Sequence, residues 1–461
     1  MQIETTPIPG LLVLRLDVHG DNRGWFRENW QREKMVELGV PDFEPVQHNL
    51  SYNAERGVTR GIHLEPWDKL VSVVTGRVFG AWVDFREGPG YGRSYYLEFD
   101  RATAVFIPRG VGNSYQTLDE GVTYSYLINN HFDPSYRYPG MRLDDTSAAI
   151  PWPIPIAQAI LSEKDQNLPF MEDVVPLETR QTLILGCHGQ LGQALRAEFP
   201  DAVAVDIDEL DLTDPKAVDA WPWHDYDRVL NAAAYTAVDA AETEEGRPAA
   251  WAANAAVPAT LARIANRHRH TLVHFSTEYV FDGTLAEHTE DEPLSPLGVY
   301  AQTKAAGDIA VGTTTRHYLL RTSWLVGEGG NFVRTMQRLA TQGVSPRVVD
   351  DQVGRLTFAD DLARAARHLL DTGAEYGAYH CTGSGPATTW AEVARRVFEL
   401  SGRNPDDVTA VSTEEYAAGQ DLAPRPRHST MSLAKLEATG FSPRPAWDAL
   451  SDYLAQESQR S

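Results

Sequence analysis

With 461 residues, 42% hydrophobic and 23% charged, the chain has the make-up of a globular protein long enough for about three domains. A formal net charge of −23 excludes nucleic acid and anionic membrane as partners, since both demand a basic surface, and leaves an anionic small molecule admissible only at a local Arg or Lys cluster. Two cysteines, Cys187 and Cys381, exclude a disulfide framework; the absence of a basic leader and of any apolar run near ~18 residues predicts a cytoplasmic protein.

Short strands come first. Residues 12–18 end at Gly20-Asp21, and 57–64 predict a strand carrying His63, with Arg60 facing the other way or into the adjoining turn. Residues 69–74 turn at Thr75-Gly76 into 77–84, and 94–99, 103–108 and 121–128 follow. Many strands at this spacing without helices between them predict a two-sheet or barrel fold, here a cupin-like jelly roll. A strand histidine without a His-x-His partner lacks the ligand set of a metal site, so no metal is expected there. Pro151, Pro153 and Pro155 interrupt regular structure, and the chain from Asp165 to Thr179 is polar and proline-marked. The expected layout is an all-β domain over 1–172, a linker over 173–181 and an α/β domain over 182–461.

In the second part strands alternate with helical stretches. Leu183-Ile184-Leu185 runs into Gly186-Cys187-His188-Gly189-Gln190-Leu191-Gly192, and a helical pattern over 193–199 follows. Glycines at that spacing let backbone approach a pyrophosphate, and the helix N-terminus offers free N–H groups. A second strand over 202–206 ends in Asp206, placed for a ribose hydroxyl; its charge would repel a 2′-phosphate and favour NADH. Strands at 228–234 and 271–276 flank an alanine-rich helix at 249–269, which predicts a Rossmann-type doubly wound parallel sheet. Thr277 lies just past a strand, and Tyr300-Ala301-Gln302-Thr303-Lys304 sets Tyr and Lys four apart on one helix face. An ammonium ~4 Å from a phenol contributes at most ~4 kcal/mol at an effective dielectric of ~20, about three pKa units. Lys304 is thus expected to draw Tyr300 towards neutrality. Only six of the 41 basic residues are lysines, Lys69 and Lys304 among them, and a compact ammonium is what a developing oxyanion needs.

The runs Gly186-Cys187-His188-Gly189-Gln190-Leu191-Gly192, Asn231-Ala232-Ala233-Ala234-Tyr235-Thr236, Ser276-Thr277-Glu278-Tyr279-Val280-Phe281, Ser295-Pro296-Leu297-Gly298-Val299-Tyr300, Arg321-Thr322-Ser323-Trp324 and Arg425-Pro426 resemble the extended short-chain dehydrogenase/reductases. More narrowly, they resemble the dTDP-4-dehydrorhamnose reductase family. The resemblance implies a Rossmann-type domain with a small C-terminal substrate-binding part, and hydride transfer to the 4-keto group of a nucleotide sugar. Gly186, His188, Gly189, Gln190, Leu191, Gly192, Asp206, Asp211, Leu212, Ala232, Ala233 and Ala234 would hold NADPH or NADH with Tyr300 and Lys304. Tyr300 would protonate the alkoxide, Lys304 would hold the nicotinamide ribose, and Thr277 would bond the substrate oxygen. Glu278, Trp324 and Arg425 would contact the sugar nucleotide, Glu278 standing where the family usually has Asp. Gln193-Ala194 lacks the acidic residue that some members use in a magnesium-bridged dimer, so no structural metal is expected.

The runs Gly20-Asp21-Asn22-Arg23-Gly24-Trp25-Phe26, Gln47-His48-Asn49, Arg60-Gly61-Ile62-His63, Lys69-Leu70-Val71 and Leu161-Ser162-Glu163-Lys164-Asp165 resemble the dTDP-4-dehydrorhamnose 3,5-epimerases. By that resemblance His63 is the base, Asp165 orients it, Lys69 stabilises the enolate and Tyr126 is the acid. Arg23 and Arg60 would bind the pyrophosphate, while Phe26, Gln47, Asn49 and Asn113 would also contact substrate; Asn113 stands where members commonly carry His. Together the two halves imply epimerisation and then reduction of a dTDP-linked 4-keto-6-deoxyhexose to dTDP-L-rhamnose. A homodimer through the jelly roll and no nucleic-acid or membrane partner are expected. Two alternatives stay open: another dTDP-deoxysugar of the talose or streptose type, and a nucleotide-sugar-binding regulatory protein with one active half.

Overall fold

Alternation of buried and exposed side chains sets the first part of the chain and βα alternation the second. The computed structural model describes residues 1–132, 138–177 and 180–460, and clusters into two units, Met1–Thr179 and Arg180–Ser461. Among the described residues no helix is long and apolar enough to cross a membrane.

The first unit contains β1 (Gln2–Thr5), β2 (Leu12–Arg15), β3 (His19–Asp21), β4 (Gly24–Phe26), α1 (Arg32–Glu37), β5 (Gln47–Asn53), β6 (Thr59–His63), β7 (Lys69–Thr75), β8 (Val78–Asp84), β9 (Ser94–Phe99), β10 (Thr103–Ile107), β11 (Val111–Thr117), β12 (Val122–Ile128) and α2 (Glu163–Gln166). One antiparallel sheet runs β1-β2-β10-β7-β12-β5 and the other β6-β11-β8-β9. Val71, Val73, Val105 and Tyr124 of the first meet Val78, Trp82 and Tyr115 of the second in a shared core. β11 escapes a reading by apolar pattern because its sequence, VGNSYQT, is polar yet almost wholly buried. Its polar groups are partnered: Gln116 Nε2 donates to Thr59 Oγ1 at 3.0 Å and to the Ile154 carbonyl at 2.9 Å, and the Ser114 hydroxyl donates to the Arg60 carbonyl at 2.7 Å. Of the stretch expected to be linker, residues 173–177 pack on this unit instead, and Gln181 already opens the first strand of the second unit. Val174 is 5% exposed and the Leu177 N–H donates to the Phe85 carbonyl at 2.8 Å.

The second unit contains β13 (Gln181–Leu185), α3 (Gln190–Glu198), β14 (Val203–Val205), α4 (Pro215–Ala220), β15 (Tyr226–Asn231), α5 (Gly246–Trp251), α6 (Val257–His268), β16 (Thr271–Thr277), α7 (Val299–Val311), β17 (His317–Thr322), α8 (Phe332–Gln342), α9 (Ala359–Thr372), β18 (Gly377–His380) and α10 (Trp390–Leu400). The sheet β14-β13-β15-β16-β17-β18 is parallel throughout. Successive strand residues face opposite layers. Ile184, Leu230 and Val273 pack under Leu191, Leu195 and Leu362 of α3 and α9. Leu183, Val229 and Leu272 pack under Leu261, Ala265 and Val311 of α6 and α7. The expected single helix over 249–269 divides into α5, a π turn at Ala252–Ala256 and α6, where Pro258 in the first turn can donate no backbone hydrogen bond. That turn carries Asn254, which clamps the Tyr235 backbone by two 2.9 Å hydrogen bonds.

Candidate active sites

In the first unit β6 lies antiparallel to β11 with His63 opposite Asn113. The capping residue Ser162 accepts the Asp165 N–H at 3.1 Å, fixing α2 so that its aspartate meets β6. His63 Nε2 lies 2.8 Å from Asp165 Oδ1, and the Gly61 N–H donates to Oδ2 at 3.4 Å. Burial pushes the Asp165 carboxyl up, but the His63 hydrogen bond and charge, with the Gly61 and Ser162 bonds, outweigh it and hold the group below its ordinary value. No hydrogen bond among the described residues engages His63 Nδ1. Lys69 opens β7; its ammonium pairs with the Glu65 carboxylate and sits 4.9 Å from the Tyr126 ring centroid. Burial, then the Glu65 charge, pushes the Tyr126 phenol up. The unit thus offers a histidine held by a carboxylate on one sheet and a cation beside a phenol on the other, the group types that proton transfer beside a carbonyl uses.

The other candidates fall into two groups. Gln47 Nε2 donates to Asn49 Oδ1 at 2.9 Å on β5, the strand beside Tyr126, and Arg60 Nε donates to Asn53 Oδ1 at 3.0 Å. Asn113 spends its carbonyl on the Trp82 indole N–H at 3.0 Å. Arg23 and Phe26 stand on the exposed β3–β4 hairpin, Arg23 paired with Asp21; among the described residues no hydrogen bond, ion pair or ring contact ties either to His63. Glu65 carried no signal in the sequence, because a carboxylate in a loop reads as a solvated group.

In the second unit the sheet reverses direction of winding between β13 and β15, and the loops after these strands form a crevice. A Cβ on Gly186 (φ +75°) would lie 2.6 Å from the Ala233 nitrogen, and one on Gly192 2.1 Å from the Gly186 carbonyl, so both must be glycine for loop and helix to close up. The first turn of α3 leaves its N–H groups without helical partners. A cleft of about 630 Å³ extends from here past Ala232 and Ala234 to Thr277, Glu278, Tyr300, Lys304 and Trp324. This donor set fits the diphosphate of a dinucleotide. Asp206 accepts the His188 N–H at 2.8 Å at the end of β14. Asp211 and Leu212 do not line the cleft: Asp211 caps the turn at Thr213, and Leu212 packs on the core. Among the described residues one group could hold a metal, Cys187, His188 and Asp206, but burial pushes the Cys187 thiol up, away from the thiolate a metal needs.

At the far end the Thr277 hydroxyl donates to Glu278 Oε2 at 2.7 Å, and Tyr300 lies beside both. The expectation that Lys304 draws Tyr300 towards neutrality is corrected by the geometry. Lys304 Nζ donates to the Phe275 carbonyl at 2.7 Å, and burial pushes the ammonium down to about 8. Burial, then the Glu278 and Tyr279 charges, pushes the Tyr300 phenol up. Trp324 is stacked on Trp390 with centroids 3.8 Å apart, and Trp390, first residue of α10, lines the cleft although no motif pointed to it. Arg425 Nη2 donates to both carboxylate oxygens of Asp239, at 2.9 and 2.8 Å.

The family described as RmlD substrate binding domain matches residues 180–459, and that described as dTDP-4-dehydrorhamnose 3,5-epimerase matches residues 5–173. The chain is 45% identical over 184 residues to the Protein RmlC homolog of Streptococcus pyogenes serotype M6, covering 38% of this chain and 92% of the relative. It is 38% identical over 290 residues to a dTDP-4-dehydrorhamnose reductase of Mycobacterium tuberculosis, covering 60% of this chain and 93% of the relative. A solved dTDP-4-dehydrorhamnose reductase of Bacillus anthracis, in complex with NADP, aligns with a TM-score of 0.56 at 32% identity over 60% of this chain and 99% of that one.

Proposed function

Since the chain belongs to the RmlD substrate binding domain family through residues 180–459 and to the dTDP-4-dehydrorhamnose 3,5-epimerase family through residues 5–173, we infer that it is a bifunctional enzyme of dTDP-rhamnose synthesis. It epimerises dTDP-4-dehydro-6-deoxy-D-glucose at C3 and C5, then reduces the 4-keto group with NADPH or NADH. The observation that carries this reading is that one chain joins matches to both families, over residues 5–173 and 180–459; on this reading both sites exploit the ketone of one nucleotide sugar. In the first, His63, backed by Asp165, takes the proton that the ketone acidifies. Lys69 faces the oxygen where enolate charge gathers, and Tyr126 returns a proton from the other face. Gln47, Asn49 and Arg60 supply polar contacts to the nucleotide.

In the second, a bound reduced nicotinamide supplies the hydride. The Gly186 loop and the start of α3 hold its diphosphate, and Lys304, anchored on the Phe275 carbonyl, is set for the ribose. Tyr300, kept protonated by its raised pKa, gives its hydrogen to the new alkoxide at O4, with Thr277 bonding the same oxygen. Trp324 and Trp390 form one wall for the sugar.

We read the two facing antiparallel sheets as a cupin-like jelly roll and the protein as cytoplasmic. Edge strand β5 exposes Leu50 and Tyr52, and the β3–β4 hairpin exposes Phe26, which supports a homodimer through this unit; sedimentation of the full chain tests it. The activity is tested by giving the purified chain the 4-keto nucleotide sugar with NADH or NADPH. Cofactor oxidation and an NMR spectrum of a rhamnose-configured product are expected. No oxidation, or a product of talose configuration, would refute the assignment.

A further inference from the structure

Thr277 has one hydroxyl hydrogen, and an ionised Glu278 would claim it. Its Oγ1 donates to Glu278 Oε2 at 2.7 Å and accepts the Tyr279 N–H at 3.3 Å. Reduction as described above wants that same hydrogen on the substrate's O4. A carboxylate at position 278 therefore competes with the substrate for Thr277.

The surroundings of Glu278 decide which form it takes. The residue is 3% exposed. The groups facing it are the Tyr300 phenol from α7, Tyr279 on its own turn and the Ser429 hydroxyl from the C-terminal segment. The nearby cations are engaged elsewhere: Lys304 with the Phe275 carbonyl, beyond which Asp308 pairs with Arg321, and Arg425 with Asp239. Among the described residues no cation pairs with Glu278, so burial favours its acid form.

We propose that Glu278 is a protonation-gated positioning residue for the reductase site, releasing Thr277 to the substrate when it is a carboxylic acid and withholding it when it is a carboxylate. As an acid its O–H donates to Thr277 Oγ1. That bond and the Tyr279 N–H then fill both lone pairs of Oγ1, so the Thr277 hydrogen and the Tyr300 hydrogen both turn to O4. As a carboxylate it accepts the Thr277 hydrogen, and O4 loses one donor at the moment charge develops on it. Burial pushes the Glu278 carboxyl up to about 7, so the gate titrates in the neutral range and closes as pH rises through that value. Aspartate, usual at this position in the related family, is one methylene shorter. The gate rests on the reductase reading of the cleft.

The test uses the full chain with dTDP-4-dehydrorhamnose supplied directly and NADH saturating, so that epimerisation does not limit the rate. For wild type, kcat/KM for the sugar should fall about 30-fold from pH 6 to pH 8.5 for a midpoint near 7. Glu278→Gln has no ionisable group and should lose this limb. Thr277→Val should be slower at every pH and should lose the limb, because the Thr277 hydroxyl is what the gate withholds. Glu278→Asp should restore the limb at a shifted midpoint. NADH binding followed by fluorescence reports whether each variant is folded; should E278Q fail to fold, T277V decides alone. A limb with wild-type midpoint in E278Q or in T277V overturns the gate, as does a flat wild-type profile. A wild-type chain that oxidises no NADH at any pH refutes the reductase reading itself, and the gate with it.

Discussion

Replacing Asp165 by Asn probes the epimerase site through one hydrogen bond. The carboxylate reaches His63 Nε2 at 2.8 Å, with its side chain 4% exposed and the histidine's 31%. When His63 takes a proton from the sugar it becomes an imidazolium, and the contact turns from a hydrogen bond into an ion pair. The interaction therefore strengthens towards the transition state, which is the condition for it to affect kcat. Hydrogen bonds to charged groups are worth ~1.5–3 kcal/mol, so losing this one should slow proton abstraction about 10- to 150-fold. The assay is exchange of the C3 and C5 protons of the 4-keto nucleotide sugar for solvent deuterium, read by NMR without nicotinamide. Reduction of preformed dTDP-4-dehydrorhamnose by the same variant should match wild type. Exchange at the wild-type rate in D165N would refute the reasoning. Stability supplies a second readout. The folded Asp165 carboxyl titrates below its unfolded value of ~3.9, so its contribution is complete above that pH and is lost as pH falls through the folded value. Urea unfolding of D165N should accordingly show a shallower loss of stability below about pH 4 than wild type.

Lys69→Met removes the cation facing the enolate and leaves Glu65, 17% exposed at its side chain, without its partner. Exchange should fall ~10²–10³-fold and the melting temperature should drop, while adding Glu65→Gln should recover stability but not exchange; recovery of exchange would deny Lys69 its role. Tyr300→Phe should cut reduction ~10²–10⁴-fold with C3/C5 exchange unchanged. Asp206→Ala should raise the NADPH-to-NADH ratio of kcat/KM about 30-fold, because a doubly charged phosphate ~4 Å from the carboxylate costs ~2 kcal/mol in water-like surroundings. An unchanged ratio would place the 2′-phosphate elsewhere.

What the sequence disclosed followed from local chemistry. The Gly186 loop, Asp206 and the Tyr300–Lys304 spacing are local in sequence, and short apolar runs such as 183–185 and 271–276, alternating with helical stretches, read as buried strands. The pairing of His63 with Asp165 spans 102 residues and no spacing could reveal it; only family resemblance placed the two together. β11 stayed hidden because a buried strand of polar residues looks like a loop until Gln116 and Ser114 are seen to have partners. Glu65 and Trp390 went unseen for a related reason, since each acts on a residue that a different element supplies. The Tyr300–Lys304 argument failed on direction: a helical spacing puts two side chains on one face but does not say that the lysine will prefer the Phe275 carbonyl.

Two buried carboxylates of similar exposure show how surroundings divide the work. Asp165, 4% exposed, has His63 at 2.8 Å and a backbone N–H, and these favour its ionised form despite burial. Glu278, 3% exposed, meets the Thr277 and Ser429 hydroxyls, a backbone N–H and two phenols, and burial prevails over them, raising it to about 7. An ionised Asp165 suits a base that must become cationic. A protonated Glu278 suits a site where negative charge develops on O4 and every donor counts. Exchanging the two environments would disable both: a neutral Asp165 could not stabilise imidazolium, and an ionised Glu278 would hold Thr277 away from the alkoxide. The deuterium-exchange profile of D165N and the reduction profile of E278Q should therefore change in opposite senses, the first losing rate at neutral pH and the second losing its decline above neutrality.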